Sequence, residues 1–349
     1  MSRQDRTELI SQISENTLKS RLGEWARNIV ANEDRIKAGK GVVKLFDKAK
    51  SLPVVIVAAG PSLDKNVGLL TQVKNKALII AVDSAVVPIL NIGVIPDVIV
   101  IADSKERVSG FFDNIEKDKL KGVITLVDSY VHPKTIDRIE ELGLDVFWYN
   151  VFPSEKSMFC QIVPDQFTGP KGFLWSGGCV TSIAFAFATG GLKADPIILI
   201  GKDSGYYNPA QHHASGTLEK AEKFPFQEKI EEDINCNPII TNSSLQTYAY
   251  WLEDMVVGNQ ANGIFINATE GGIVSRGWNI IPLKIVIDRY LQKTYDFKKL
   301  LSIEEENEKV DSGTNSDKKK QKAKEQKPEE DRKPVSGRVT FSSGKKEQT

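Results

Sequence analysis

The most chemically loaded stretch of this chain runs Gly201-Lys202-Asp203-Ser204-Gly205-Tyr206-Tyr207-Asn208-Pro209-Ala210-Gln211-His212-His213-Ala214-Ser215-Gly216. It puts a carboxylate, a cation, two phenols and two of the chain's three histidines on one loop. Histidine titrates near neutrality and is the commonest proton carrier, so His213 or His212 is a candidate general acid or base. Asp203 adds a carboxylate, and Tyr206 and Tyr207 are candidates to donate hydrogen bonds to a phosphate leaving group. Paired histidines on an exposed loop also serve as plain polar surface, and their spacing alone does not choose between the two.

A second feature recurs. Four apolar runs end in the same dipeptide, Asp83-Ser84, Asp103-Ser104, Asp128-Ser129 and Asp203-Ser204. If the runs are parallel strands of one sheet, all four pairs reach its carboxyl edge, where open α/β sheets bind ligands. Any single pair is equally an ordinary cap for the helix that follows. Asp83, Asp103 and Asp203 are also the candidates to gather a hard cation such as Mg2+. No cysteine and histidine spacing of the zinc type exists.

Three turns offer further contacts. Gly60-Pro61-Ser62 follows the first apolar run and precedes an amphipathic stretch from Leu63 to Val73. Glycine allows the tight turn, proline suits a first helical turn, and the Ser62 hydroxyl can bond a nearby amide. The result expected is a helix N-terminus whose amides attract phosphate. It is neither a P-loop nor a G-x-G-x-x-G turn. Ser176-Gly177-Gly178 opens a small-residue helix, where adjacent glycines admit either a ligand or another part of the chain at close range. Asn267, Thr269 and Glu270 bring an amide, a hydroxyl and a carboxylate to a late strand end, as a structural turn or as ligand contacts.

The elements that must position these groups are strands and crossover helices. Short β-branched runs at Val54–Ala59, Ala77–Val82, Asp97–Ala102, Gly122–Val127, Asp145–Tyr149, Pro196–Gly201 and Gly263–Asn267 alternate with amphipathic stretches. Most runs are apolar throughout, which predicts a mostly parallel, doubly wound α/β sheet covered on both faces. Residues 1–50 carry Leu9, Ile10, Ile13, Leu18, Leu22, Trp25, Ile29 and Val30 at helical spacing and read as a helical segment packing on the domain of residues 51–301. Residues 302–349 are dense in both charges and poor in apolar residues, the composition of a disordered tail.

Bulk composition limits the partners. Lys plus Arg and Asp plus Glu number 46 each, so no net field favours nucleic acid or an anionic membrane surface. The N-terminal residues are polar, no run is long and apolar enough to span a bilayer, and no membrane insertion is expected. Cys160, Cys179 and Cys236 are odd in number and far apart, which fits the cytoplasm rather than a disulfide framework.

Taken in order, the segments AAGPSLDKN, AVDSA, GVIPDVIVIADS, SGGCVTSIAFAFA, IILIGKDSGY, HHASG and INATEGG resemble the DUF115 family over roughly Asn32 to Tyr290. That family contains the bacterial motility-associated factor (Maf) flagellin glycosyltransferases and the archaeal 6-hydroxymethylpterin diphosphokinase MptE. The resemblance implies a Rossmann-like, sialyltransferase-like domain that uses a CMP-activated nonulosonic sugar, with a protein hydroxyl such as that of flagellin as acceptor. Gly60, Pro61 and Ser62 match the family's nucleotide loop, Asp83 and Asp103 its strand-end carboxylates, and Ser176, Gly177 and Gly178 its second glycine turn. Asp203 and His213 match its Gly-Gln-Asp-Leu and Thr-His-Ala signatures in part: Lys202 stands in place of Gln, Ser204 in place of Leu and His212 in place of Thr. The acceptor-recognition domain of the longer flagellar proteins is expected to be missing.

Three functions are therefore in competition. The first is transfer of a nonulosonic sugar, with the departing nucleotide phosphate held by amides and a phenol. The second is ATP-dependent diphosphate transfer to a hydroxymethylpterin, with Mg2+ on some of Asp83, Asp103 and Asp203. The third is a nucleotide-binding module without catalysis.

Overall fold

A computed structural model describes residues 3–152, 169–218, 227–259, 261 and 263–302. The charged segment expected to be a disordered tail falls, apart from Ser302, outside these residues, as does Cys160.

Helix α1 (Arg3–Ala31) and helix α2 (Glu33–Ala38) lead into a two-residue strand β1 (Lys40–Gly41). The central strands are β2 (Val54–Val57), β3 (Leu78–Val82), β4 (Val98–Ile101), β5 (Ile124–Asp128) and β6 (Asp145–Phe152). Between them lie α3 (Leu63–Asn66), α4 (Leu70–Val73), α5 (Val86–Asn91) and α6 (Pro133–Glu141). The chain continues through β7 (Phe173–Trp175), α7 (Val180–Ala186), β8 (Ile197–Ile200), β9 (Lys229–Glu232), β10 (Pro238–Thr241) and α8 (Ser243–Asn259). It closes with β11 (Phe265–Asn267), β12 (Asn279–Ile280), α9 (Leu283–Tyr290) and α10 (Phe297–Leu301).

The sheet order is β1-β6-β5-β4-β3-β2-β8-β11-β12, parallel at every pairing, with β7 beside β6. β9 and β10 form a separate antiparallel pair. Every residue of β2, β3, β4, β5 and β8 is buried, as unbroken apolar runs require. Alternate side chains feed two cores. Val55, Val57, Ile79 and Ile99 pack with α4, α5, α6 and α9, whereas Val54, Ile56, Leu78 and Val98 pack with α7, α8 and α10. Burying each such side chain contributes on the order of 1.5–3 kcal/mol, so the two cores carry most of the fold's stability.

The fold is thus the doubly wound parallel sheet expected, and all seven candidate runs contain a strand. β2 lies between β3 and β8, so successive strands run outward one way from β2 and, after the return, outward the other way from β8. That reversal sets a switch-point crevice at the carboxyl ends of β2 and β8.

The expected helix from Leu63 to Val73 is a correction. α3 and α4 are separated by a 3-10 turn at Val67–Leu69, where a glycine follows a β-branched residue. No helix among the described residues is long and apolar enough to cross a membrane.

Candidate functional site

At the switch point the turn after β2 and the turn after β8 close on each other. The Gly60 amide donates to the Gly201 carbonyl at 2.7 Å. Asp203 Oδ2 accepts from the Ser62 amide at 3.2 Å and from Ser62 Oγ at 2.8 Å. Ser62 therefore ties the two turns together and does not cap α3, contrary to the sequence reading. The remaining amides are also engaged: Leu63 N donates to Gly60 O and Asp64 N to Pro61 O. With Pro61 lacking an N–H, the expected phosphate cradle of Gly60-Pro61-Ser62 has its donors turned inward.

Asp203, expected as a catalytic carboxylate, is 1% exposed. Burial pushes it up to about 6, against the opposing pull of the Ser62 hydrogen bonds and of Lys65 and Lys202. Its Oδ1 is buried without a hydrogen-bond partner. Gly60, Gly271 and Gly272 make room for it, since a Cβ on Gly60 would lie 2.1 Å from Oδ2 and one on Gly272 2.4 Å from the Asp203 Cα. Asp203 acts here as the keystone joining the β2, β8 and β11 turns.

The histidine loop docks on the same crevice. The Ala214 amide donates to Ala59 O at 2.9 Å, and Asp64 accepts from the Ser215 amide and hydroxyl and from Gln211 Nε2. His212 and His213 line a hollow with Ala210, Gln211, Ser215 and Thr217. His212 stacks on the Tyr206 ring, centroids 4.0 Å apart. The phenols are differently placed than a leaving-group role requires. Tyr206 Oη donates to Glu228 at 2.6 Å, and burial first, then that carboxylate, pushes the phenol up to about 12. Tyr207 Oη donates to Asp233 at 2.8 Å while accepting from the Gly272 amide.

Along the edge toward β5, the strand-end pairs divide in role. Asp83 is buried and its Oδ1 accepts from the Ser84 amide at 2.8 Å; Ser84 itself is half-buried. Asp103 is raised by burial, with Arg107 and Arg21 pulling the other way, and accepts from the Lys105 amide. Burial lifts Asp128 well above the usual carboxylate range. The hydroxyls of the next two pairs are used structurally. Ser104 Oγ pairs with Glu24 and Trp25 of α1, and Ser129 Oγ with Tyr149 O and Asn150. α1 thus lies across the ends of β4 and β5. Trp25 stacks on Tyr130 at 4.5 Å, and Asn28 Nδ2 donates to Ser104 O and Tyr130 O.

The glycines of the second turn admit another part of the chain. A Cβ on Gly177 would meet the Trp251 ring at 2.4 Å, and one on Gly178 the Tyr248 ring at 2.9 Å. Ser176 Oγ accepts from the Gly178 amide at 3.1 Å and so shapes the turn. Tyr248, half-buried on α8, lies under the Lys202 ammonium, and burial together with the nearby Cys179 and Asp103 raises its phenol. Sequence reasoning did not reach Tyr248, Trp251, Glu24 or Trp25 as neighbours of this edge. Aromatic residues on helices distant in sequence carry no local signal of such contacts.

At the end of β11, Asn267 Nδ2 donates to Val274 O and its Oδ1 accepts from the Thr269 amide, while Thr269 Oγ1 accepts from the Lys202 amide. Glu270 accepts from Asn66 Nδ2 and the Leu283 amide. These three shape the turn; Asn267 and Glu270 also line a hollow with Lys65 and Asn235. Among the described residues no group of three or more His, Cys, Asp or Glu is placed to hold an ion, so Asp83, Asp103 and Asp203 do not form a three-carboxylate site, and Asp203 is held by Ser62.

Residues 27–209 match the model of a family described as 6-hydroxymethylpterin diphosphokinase MptE-like. The fold is similar to that of the Maf glycosyltransferase from Magnetospirillum magneticum AMB-1, with a TM-score of 0.54 at 17% sequence identity over 77% of this chain. This chain spans 40% of the length of that one. Among curated proteins none matches.

Proposed function

Since the chain belongs to the 6-hydroxymethylpterin diphosphokinase MptE-like family, we propose that it is a transferase, and that it moves a nonulosonic sugar from a CMP-activated donor to a protein or glycan hydroxyl. The observation that carries this reading is the common carboxyl edge. Parallel register brings Asp83, Asp103, Lys202 and the histidine loop to one rim of a doubly wound sheet, beside its switch point. The likeness of fold to a Maf glycosyltransferase supports the same choice.

The chemistry asked of the chain is modest. The bond from the sugar's anomeric carbon to the phosphate oxygen breaks, CMP departs with that oxygen, and the acceptor oxygen bonds to the same carbon. His213, held over the end of β2 by the Ala214 amide, takes the acceptor proton. Tyr206 and Asp203, bound to Glu228 and Ser62, serve by fixing the loop that carries the histidine. Flagellin is one acceptor of the required kind, and the cytoplasm is the compartment in which nucleotide-activated donors are made.

Diphosphate transfer from ATP is the second reading, favoured by the family's own description. No group of three or more carboxylates, histidines or cysteines among the described residues is placed to hold an ion, so that reading would need Mg2+ held by one or two of Asp83, Asp103 and Asp203 together with the nucleotide phosphates.

A thermal-shift series separates them. Sugar transfer predicts stabilisation by CMP and CMP-sugars without metal, by several degrees at saturating ligand. Stabilisation by ATP only with Mg2+, and none by CMP, would replace it with diphosphate transfer. No shift with any nucleotide would leave the non-catalytic reading.

A further inference from the structure

Lys202 is only 8% exposed, yet among the described residues its Nζ has neither a hydrogen-bond acceptor nor an ion-pair partner. Its one recorded contact is the Tyr248 ring, 5.4 Å from Nζ to the centroid. The adjacent carboxylate makes no direct ion pair with it: Asp203 Oδ2 is held by Ser62, and Lys202 acts on Asp203 only through its field. The Nζ atom is not itself sealed from water, so the ammonium keeps its donors available to an anion from outside the chain.

The surroundings are rich in unspent donors. Ser204 Oγ and Asn242 Nδ2 are both buried and without an acceptor. They belong to the same corner: Tyr206 bridges Ile240 in antiparallel register, which sets residue 204 opposite residue 242, and Thr241 Oγ1 donates to Ser204 O at 2.8 Å. Asn242 Oδ1 is already taken by the Leu245 amide, so only its N–H2 group remains to offer. The backbone here is stiff. Gly201 has φ +66 and Ser204 φ +52, and the Lys202 amide is fixed on Thr269. Lys202 is therefore presented at the carboxyl edge on a rigid turn.

We propose that Lys202 is the oxyanion-binding residue of the donor site, with Tyr248 beneath it, and that the group it takes is the phosphoryl of the nucleotide donor. This rests on the donor reading above and deepens it. With the Gly60-Pro61-Ser62 amides turned inward, the phosphate contact passes to a side chain. A sugar-acid carboxylate is the other oxyanion a donor of this class carries.

The test is calorimetric titration of the full chain and of Lys202→Gln with CMP, cytidine, inorganic pyrophosphate and free N-acetylneuraminic acid. We expect Lys202→Gln to weaken CMP and pyrophosphate at least tenfold and to leave cytidine unchanged. Without ligand the variant should melt close to the parent, since the substitution removes no hydrogen bond or ion pair of Nζ. CMP binding that is equal in the two proteins would overturn the proposal and leave the donor reading standing. Pyrophosphate binding that depends on Lys202, with no binding of CMP or cytidine, would uphold the anion site and end the sugar-transfer reading. Loss confined to N-acetylneuraminic acid would assign Lys202 to the carboxylate and overturn the phosphoryl assignment. A variant that loses cytidine as well would also overturn it, as the loss would reflect a disturbed site.

Discussion

Gly60 shows how little space the switch point leaves for a side chain. An added Cβ would sit 2.1 Å from Asp203 Oδ2, which two hydrogen bonds from Ser62 pin in place, and 2.6 Å from the backbone Gly201 O. Gly60→Ala must therefore separate the β2 and β8 turns or break the Ser62–Asp203 pair. The expected loss is about 3 kcal/mol, at the upper end for overpacking, measured by urea unfolding. Gly68→Ala is the matched control, because a Cβ there meets nothing within 4 Å. It should change stability by less than about 1 kcal/mol. Equal effects from the two substitutions would mean that the turns are not interlocked as described. The same scale accounts for what could be read of the site. Asp203 and His213 stand out by residue type and by position after a strand. The use of Asp203 does not, because its partner Ser62 lies 141 residues away and only the closed fold brings them together.

α1 is joined to the sheet mainly by polar groups. Arg6 pairs with Glu253 at 2.8 Å and lies over Tyr250, Lys105 pairs with Glu24 at 2.8 Å, and Trp25 supplies the main ring contact. The Lys105–Glu24 pair is largely exposed, contributes little and is screened by salt, whereas Arg6–Glu253 is mostly buried; at the sheet edge Trp25 is the anchor. Trp25→Ala should loosen α1 by about 2 kcal/mol, from lost stacking, lost burial and the lost bond to Ser104. Hydrogen exchange should accelerate along α1 while β2, β3 and β8 keep their protection. Unchanged exchange in α1 would assign its docking to the ion pairs. Elements of this kind were only partly legible. The buried strands were found because each is an apolar β-branched run with both faces covered. β9, with Lys229 and Glu232, and the two-residue β12 have no such run, so pairing in three dimensions alone defines them. The helix expected at Leu63–Val73 has the right apolar spacing but is broken by Gly68, whose conformational cost the spacing does not register.

Over the whole molecule, buried carboxylates set how stability depends on pH. Burial raises Asp97 and Asp203 from 3.8 to about 6, with hydrogen bonds from Ile79 N and Ser62 opposing it, and lifts Asp128 well above the ordinary range. Asp233 runs the other way: burial would raise it, but hydrogen bonds from Asn237, Tyr207 and Asn235 outweigh that and lower it. A carboxyl with a raised value in the folded state keeps its proton where the unfolded chain has released its own. The folded state then binds more protons between about pH 4 and pH 6, and stability falls as pH rises through that window before levelling off. Holding a carboxyl at about 6 rather than 3.8 corresponds to about 3 kcal/mol at most. Asp128 and Asp203 are each 1% exposed, deeper than Asp233 at 6%, and with Asp97 the raised groups outnumber it, so unfolding free energy should be higher at pH 5 than at pH 7.5. Asp203→Asn isolates one share of this effect, because the amide oxygen can still accept from Ser62 while the ionisation is gone. Its urea midpoint should vary less than the parent's between pH 4 and pH 6, with the variant gaining on the parent toward pH 8. Parallel profiles for the two proteins would show that Asp203 ionises in the fold as readily as in the open chain, and that the crevice around it is wetter than its 1% exposure indicates.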